Sequence, residues 1–378
     1  MRIAVLSETE GAETRVAATP ETVKKYKTLG ADVAVQAGAG AKAGITDAEF
    51  EAAGAAIASS REEALKDADV VLKVRRPAEG ELSGVKPGAL VIAIMDPYGQ
   101  DAALKALADA KVAAFSMELM PRITRAQVMD VLSSQANLAG YRAVIDATAE
   151  YGRAMPMMMT AAGTVPAARV FVMGAGVAGL QAVATARRLG AVVTATDVRP
   201  AAKEQVESLG AKFIAVEDEE FKQAETAGGY AKEMSAEYRA KQAELVASHI
   251  AKQDIVITTA LIPGRPAPKL VTKAMVESMK PGSVIVDLAV ERGGNCEVSK
   301  PGKIATHNGV KIVGHLNVPG RLAATASSLY AKNLYAFVET LVDKESKTLS
   351  VKWDDELVKA TCLTRDGAVV HPAFQPAA

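Results

Sequence analysis

The sequence predicts an α/β fold: two doubly wound domains with mostly parallel sheets, linked by long helices, with a cleft between them. Three observations carry that expectation. Apolar runs of strand length alternate with amphipathic helical stretches as far as Ser116, and a second such series runs from Arg169 to Val313, the pattern of βαβ units. The chain has 378 residues, which at roughly 100–200 residues per domain means more than one. No low-complexity linker separates the two series. Long helices are therefore expected to join them, one starting near Arg125 and one returning from Ala324 to Val342. The expected bounds are 1–125 plus 329–378 for the first domain, completed by the C-terminal tail, and 138–318 for the second, with connecting helices at 126–137 and 319–328.

In chain order, Arg2–Leu6 reads as the first strand. Thr19-Pro20 opens a helix that ends at Gly30, a capping residue and proline at the start and glycine at the end. Strands are expected at Asp32–Gln36, Val70–Val74, Leu90–Met95 and Val112–Ser116, with helices near 47–53, 60–67 and 101–110. In the second series Val170–Met173 reads as a strand, Val177–Leu189 as a helix and Val192–Thr196 as a strand. A helix near 200–209 and strands near Phe213, Ile255–Thr258, Ser283–Leu288 and Val310–Val313 follow. Polar residues 216–252 have helical spacing and enclose Gly228-Gly229-Tyr230, an excursion from the sheet with a flexible tip. The tail from 347 carries short strand-like pieces.

Composition excludes several classes of function. Hydrophobic residues make up 49% and charged residues 23%, enough for sizeable cores, while aromatics at 4% leave small aliphatic side chains to fill them. Lys+Arg and Asp+Glu number 44 each, so no global basic field draws nucleic acid or an anionic membrane. Two cysteines, Cys296 and Cys362, are too few for a disulfide framework and fit a reducing compartment. The start, MRIAVLSETEG, lacks the charged-then-apolar layout of a secretion signal. The stretch MPMMMTAAGTVPAARVFVMGAGVAGL is broken by Pro166, Arg169 and several glycines, and reads as a loop, a buried strand and a turn rather than a membrane span. Its methionines read as packing or interface. No His/Cys/Asp cluster has metal-ligand spacing, so no metal is expected.

Residues 170–180 read VFVMGAGVAGL. Gly174, Gly176 and Gly179 form G-x-G-x-x-G between a strand and a helix. The first glycine permits a tight turn, the second lets backbone approach a pyrophosphate, and the third allows close helix–strand packing. Asp197 ends the next strand, 23 residues after Gly174, where a carboxylate accepts hydrogen bonds from an adenosine ribose. A glycine turn with an unrelated surface aspartate is the bland alternative. A carboxylate there repels a 2′-phosphate, so NAD is expected over NADP, although nearby Arg199 is of the type that accepts such a phosphate.

Residues 121–135, PRITRAQVMDVLSSQ, pose a second question. Thr124 and Gln127 have capping-box spacing. Gln127, Asp130, Ser134, Asn137 and Tyr141 step by three or four along one helical face. A solvated face fits the stripe, and so does a row of groups that hold something.

Six segments bear on the choice: MELMPRITRAQVMDVLSSQANLAGYRAV, PMMMTAAGTVPAARVFVMGAGVAGLQA, TDVRPAAKEQVESLGAKF, AETAGGYAKEMS, ITTALIPGRPAP and MKPGSVIVDLAVERGGNC. Together they resemble the NAD(H)-binding subunit, or first domain, of the proton-translocating nicotinamide nucleotide transhydrogenases, in a superfamily that includes alanine dehydrogenases. The resemblance implies that Arg122, Gln127, Asp130 and Ser133 lie beside the nicotinamide, hold its carboxamide and turn its C4 toward a partner. It implies that Tyr230 sits at the tip of a mobile loop closing over bound nucleotide. The implied cofactor-binding set is Gly174, Gly176, Val177, Ala178, Gly179, Asp197, Val198 and Arg199, with Gly229, Gln242 and Leu261. The implied partners are a membrane-spanning subunit and a beta subunit that binds NADP(H), with a homodimer of this chain held peripherally on the cytoplasmic face of the inner membrane.

A chemical argument separates the two branches of the superfamily. Reducing a carbonyl or imine with hydride also requires a proton source, usually a His or Lys. Hydride passing between two nicotinamide rings moves no proton at the reacting centre, so positioning within about 3–3.5 Å is the main task. None of the four histidines, His249, His307, His315 and His371, lies at a strand end of the first domain. In GALVIAIMDPYG, Ile94 stands where alanine dehydrogenases carry a catalytic histidine, and Glu291 stands where they carry an aspartate. Arg15 and Lys73 remain compatible with amino-acid binding, or are structural ion pairs of the shared fold. His315 reads as a strand-end histidine. The sequence departs from the resemblance at Leu6-Ser7-Glu8, where transhydrogenase subunits commonly read close to PKE. The expected function is direct hydride transfer from NADH on this chain to NADP+ on a partner, coupled to proton translocation elsewhere. The alternatives are an alanine-dehydrogenase-like amino-acid oxidoreductase and a non-catalytic NAD-binding regulator.

Overall fold

The computed structural model describes residues 1–223 and 234–375. The chain forms two compact units, Met1–Gln135 with Pro319–Ala378, and Ala136–Val318. Each is an α/β body on a mostly parallel sheet, as the alternation of apolar and amphipathic runs predicts.

The sheet of the first unit has eight strands. From one edge they are Ala368–Val369, Cys362–Arg365, Ala113–Ser116, Leu90–Ile94, Val70–Arg75, Arg2–Val5, Asp32–Gln36 and Ala56–Ala58. The chain starts in the middle, winds outward to one side, then crosses back and winds to the other, the doubly wound order. The first six strands in chain order are parallel, and the two from the tail are antiparallel. Such a sheet must be covered on both faces, which explains why its strands are nearly continuous apolar runs. Ile3 and Val5 enter one buried cluster while Ala4 and Leu6 enter the cluster on the opposite face. The period-2 geometry of a strand does this sorting. Helix Pro20–Thr28 starts on Thr19, whose hydroxyl accepts from Thr22 N–H while the Thr22 hydroxyl accepts from Thr19 N–H, and Pro20 occupies the first turn. Ala56–Ala58 lies outside the expected set: three residues, Ala-Ile-Ala, are too short for a periodic signal, and register with Asp32–Gln36 makes them a strand.

The second unit has a seven-stranded sheet in the order Lys212–Phe213, Val192–Thr196, Arg169–Met173, Ile255–Thr258, Val284–Asp287, Val310–Val313 and Ile304–His307. Only the last strand is antiparallel. The central strand again comes first in the chain, so strand order reverses beside Arg169–Met173, where open α/β sheets take their ligands. Residues 155–180 form an exposed hairpin, Met158–Thr160 with Gly163–Val165, then this strand and the turn that follows. No helix of the described residues is long and apolar enough to cross a membrane.

The helix expected from Arg125 begins later. Thr124–Met129 is a 3-10 run, Asp130 is extended, and the α-helix spans Val131–Glu150. Similarly, Val318–Leu322 is a 3-10 run that leads into helix Ala323–Thr340.

Candidate functional site

The three glycines of the loop differ in what the structure asks of them. Gly174 has φ +105°, and a Cβ there would lie 2.5 Å from Thr259 Oγ1. The Thr259 hydroxyl instead donates to the Gly174 carbonyl at 3.0 Å. A Cβ on Gly179 would lie 1.7 Å from that same carbonyl oxygen, so helix Val177–Arg188 sits against the loop only because position 179 is bare. Gly176 differs: its φ is −76°, and a Cβ would meet nothing within 4 Å. It is the N-cap of that helix, and no side chain caps the helix start. The first-turn N–H groups, at the positive end of the helix dipole, are thus left without a side-chain cap, an arrangement that suits an anion.

The segments after three neighbouring parallel strands surround this point. Val177, Val198, Leu261 and Ile262 follow Arg169–Met173, Val192–Thr196 and Ile255–Thr258, and all four are exposed. Large apolar side chains left in water beside an uncapped helix start fit the rings of a nucleotide. Asn295, fully buried, holds the last of these segments: its amide oxygen accepts from Ala260 N at 3.0 Å and its NH2 donates to Ala260 O and Pro268 O at 2.8 Å. Asp287 in turn accepts from the N–H groups of Ala289, Asn295 and Cys296 and from the Ser299 hydroxyl.

Asp197 follows Val192–Thr196, at the distance from the loop that the motif requires. Its Oδ2 accepts from Ala175 N at 2.7 Å, and its Oδ1 accepts from Arg199 N at 2.9 Å. The Arg199 guanidinium lies across it in a fork, Nε to Oδ1 at 2.9 Å and Nη2 to Oδ2 at 3.1 Å. The carboxylate expected to be open to a ribose is thus fully engaged within the unit. Gln242 is engaged too, donating to Thr196 Oγ1 at 3.2 Å and accepting from Val216 N at 2.8 Å, which ties helix Ala236–Ile250 to the strand end. Gly229 and Tyr230 lie outside the described residues.

Close packing on the loop extends to Gly140 of the long helix. A Cβ there would lie 2.0 Å from the carbonyl oxygen of Ala178. Sequence reasoning missed Gly140, Thr259, Asp287 and Asn295. The only local signal was glycine inside a helix, which costs about 1 kcal/mol relative to alanine and so implies a packing reason.

In the first unit, the expected capping box of Thr124 and Gln127 is absent, because no side chain caps the 3-10 run. Asp130 does the capping instead: its Oδ1 accepts from Ser133 N at 2.8 Å, at the start of the α-helix. Arg122 and Gln127 are exposed, and neither side chain bonds to another described residue, while Asp130 and Ser133 are partly buried. The run itself is held by groups distant in sequence. Arg125 grips Asp355 through both terminal nitrogens, at 2.9 and 2.7 Å, and also reaches Glu356. Asn333 donates to the Val128 carbonyl at 2.8 Å and accepts from the Ser134 hydroxyl at 2.8 Å. Buried Gln135 donates to Ser134 Oγ and Ala326 O and accepts from Arg15 at 2.8 Å.

Arg15 and Lys73 are buried and paired. Arg15 lies against Glu13 at 2.7 Å, and Lys73 against Glu81 at 3.1 Å and Glu8 at 3.6 Å. Burial alone would raise the Glu13 carboxyl, but hydrogen bonds and charge from Arg15, with Arg75 beyond, hold it at about 2. Burial pushes Glu8 up against the opposing pull of Lys73. Ile94 ends its strand partly buried, with no histidine nearby in sequence.

Two family models match the chain: alanine dehydrogenase/PNT, N-terminal domain, over residues 4–139, and alanine dehydrogenase/PNT, C-terminal domain, over residues 143–372. The chain belongs to the alanine dehydrogenase/PNT family. Within it, the chain groups with transhydrogenase alpha subunits. It is 61% identical over 379 residues to an NAD(P) transhydrogenase subunit alpha protein from Rhodospirillum rubrum, covering 99% of each chain. It is 48% identical to the protein of the same name from Rickettsia prowazekii, covering 98% of this chain and 96% of that one. The crystal structure of transhydrogenase from Sinorhizobium meliloti superposes with a TM-score of 0.90 at 64% identity, covering 98% of this chain and 100% of that one.

Proposed function

We propose that the chain is the NAD(H)-binding subunit of a proton-translocating transhydrogenase. The observation that carries the reading is the uncapped start of helix Val177–Arg188, with open space at Gly176 and Asp197 at the next strand end. The pyrophosphate takes the free N–H groups of the first turn, and the adenosine ribose takes Asp197. Arg122, Gln127, Asp130 and Ser133 hold the nicotinamide carboxamide and turn C4 outward. Exposed, uncommitted donors at Arg122 and Gln127 suit that task. The group has no His or Lys, the usual proton source for a carbonyl, and Ile94 occupies the strand end where an amino-acid dehydrogenase needs its histidine. Hydride then passes directly to NADP+ held by a beta subunit, while protons cross the membrane in a further subunit.

The chain works as a homodimer, bound to the cytoplasmic face of the inner membrane through those partners. The hairpin Met158–Thr160 with Gly163–Val165 supports the dimer: Met157, Met158 and Met159 are exposed, Met159 by 81%, more than a lone subunit leaves in water without cause.

The deciding experiment is NADH fluorescence titration combined with NADH oxidation in the presence of pyruvate and ammonium. Binding without turnover, followed by turnover when an NADP(H)-binding beta subunit and NADP+ are added, is the expected result. Turnover with pyruvate and ammonium alone overturns it.

A further inference from the structure

The geometry around Asp197 points to a role for Arg199 that its neighbours conceal. We propose that Asp197 excludes NADP(H) in two ways: by its own charge, and by holding captive the guanidinium that would otherwise accept a 2′-phosphate. This rests on the nucleotide reading of the glycine loop.

A carboxylate offers about four lone-pair sites. At Asp197 the N–H of Ala175, the N–H of Arg199, and Arg199 Nε and Nη2 fill all four. Ribose hydroxyls therefore gain Asp197 only by displacing the Arg199 side chain. The backbone bonds from Ala175 and Arg199 need not move, because they fix the carboxylate from the loop side. The fork is the exchangeable part. It is also anchored at a third point, Nη2 to the Ala175 carbonyl at 3.3 Å, so a guanidinium released from Asp197 remains tethered beside the ribose seat. A planar guanidinium there is the usual acceptor of a 2′-phosphate. With Asp197 in place, one negative group is already seated on it. Arg199 is thus both a competitor of NADH for Asp197 and a latent phosphate site.

The test is a double-mutant cycle read by NADH and NADPH fluorescence titration: wild type, Arg199→Ala, Asp197→Asn, and the double variant. Asn at 197 keeps an amide oxygen for Ala175 N–H, so the loop stays held, and circular dichroism checks folding. Arg199→Ala is expected to tighten NADH binding about two- to fivefold, the worth of a partly exposed ion pair, with NADPH still rejected. Asp197→Asn is expected to weaken NADH and admit NADPH. The double variant is expected to lose that gain. Weaker NADH binding in Arg199→Ala, no NADPH gain in Asp197→Asn, or full retention of the gain in the double variant each overturn the proposal. If Asp197→Asn does not fold, the Arg199→Ala titration still decides the competition. Absence of NADH binding by the wild-type chain would instead overturn the nucleotide reading itself.

Discussion

Gly176 and Gly179 look alike in the motif but should fail differently as alanines. At Gly179 the new Cβ lies 1.7 Å from the Gly174 carbonyl oxygen. Ordinary contact needs about 3.2 Å or more, so helix and loop must part by about 1.5 Å, and both sides of the clash are backbone. Overpacking of that kind costs about 3 kcal/mol or more. At Gly176 the backbone already suits an L-residue, with φ −76°, and the Cβ meets nothing. Losing glycine at an N-cap costs a few tenths of a kcal/mol or slightly more, and the stiffer unfolded chain returns about 0.4–1 kcal/mol. Stability should therefore stay within about 0.5 kcal/mol. Binding should not, because on the proposed reading the methyl stands where the pyrophosphate meets the helix N–H groups. Losing one or two charge-assisted hydrogen bonds weakens NADH by about 10- to 100-fold. Calorimetry of each apo variant, followed by NADH fluorescence titration, separates the two effects. Unchanged NADH affinity in a folded Gly176→Ala protein would refute the claim that this space is kept for the cofactor.

Gln127→Asn should cut hydride transfer to partner-bound NADP+ while leaving NADH affinity nearly intact, because it shortens an exposed amide that holds only the ring; an unchanged transfer rate with the beta subunit present removes Gln127 from the mechanism. Gly140→Ala should destabilise the second unit by about 2 kcal/mol, an overpacking cost near the top of the usual range less about 1 kcal/mol of regained helix propensity. For a unit of this size that lowers the corresponding melting transition by about 4–8 °C, and a rise in that transition would mean the helices separate freely at Ala178. Glu13 is held at about 2 against an ordinary value of 4.5. Its contribution to stability is full above about pH 4.5 and is lost as pH falls toward 2, on the order of 3 kcal/mol. The stability gap between wild type and Glu13→Gln in urea melts should shrink across that window, and a gap independent of pH would contradict the pairing with Arg15.

The elements that sequence patterning located well are those whose own residues carry the whole signal. Asp32–Gln36, Val192–Thr196, Ile255–Thr258 and Val310–Val313 are apolar runs between turn residues, and their ends coincide with the expected ones. The glycine motif was legible because Gly174 and Gly179 answer backbone constraints, which are written one residue at a time. The state of Asp197 was not legible. Spacing brings the carboxylate to the strand end, but the fork from Arg199 depends on how the chain turns at Val198. Gly140 signalled only that something packs on it, not what: its partner, the Ala178 carbonyl, is 38 positions away and has no side-chain signature.

The segment 121–135 shows why periodicity alone misleads at a site. Its three-and-four spacing reads as one helical face, yet the α-helix begins only at Val131. The residues that override local propensity lie some 200 positions on: Asp355 and Glu356 pull on Arg125, and Asn333 takes the Val128 carbonyl. A 3-10 run leaves its polar backbone groups poorly paired, so it persists only where the surroundings hold it. Here Arg125 pairs at the surface and Asn333 bonds from the packed side, and Arg122 and Gln127 are left exposed and unspent. Behind the run lies a partly buried Arg15–Gln135–Ser134–Asn333 chain, which suits the proposed positioning role. Rigid support behind exposed, unpaired donors is what a positioning site requires.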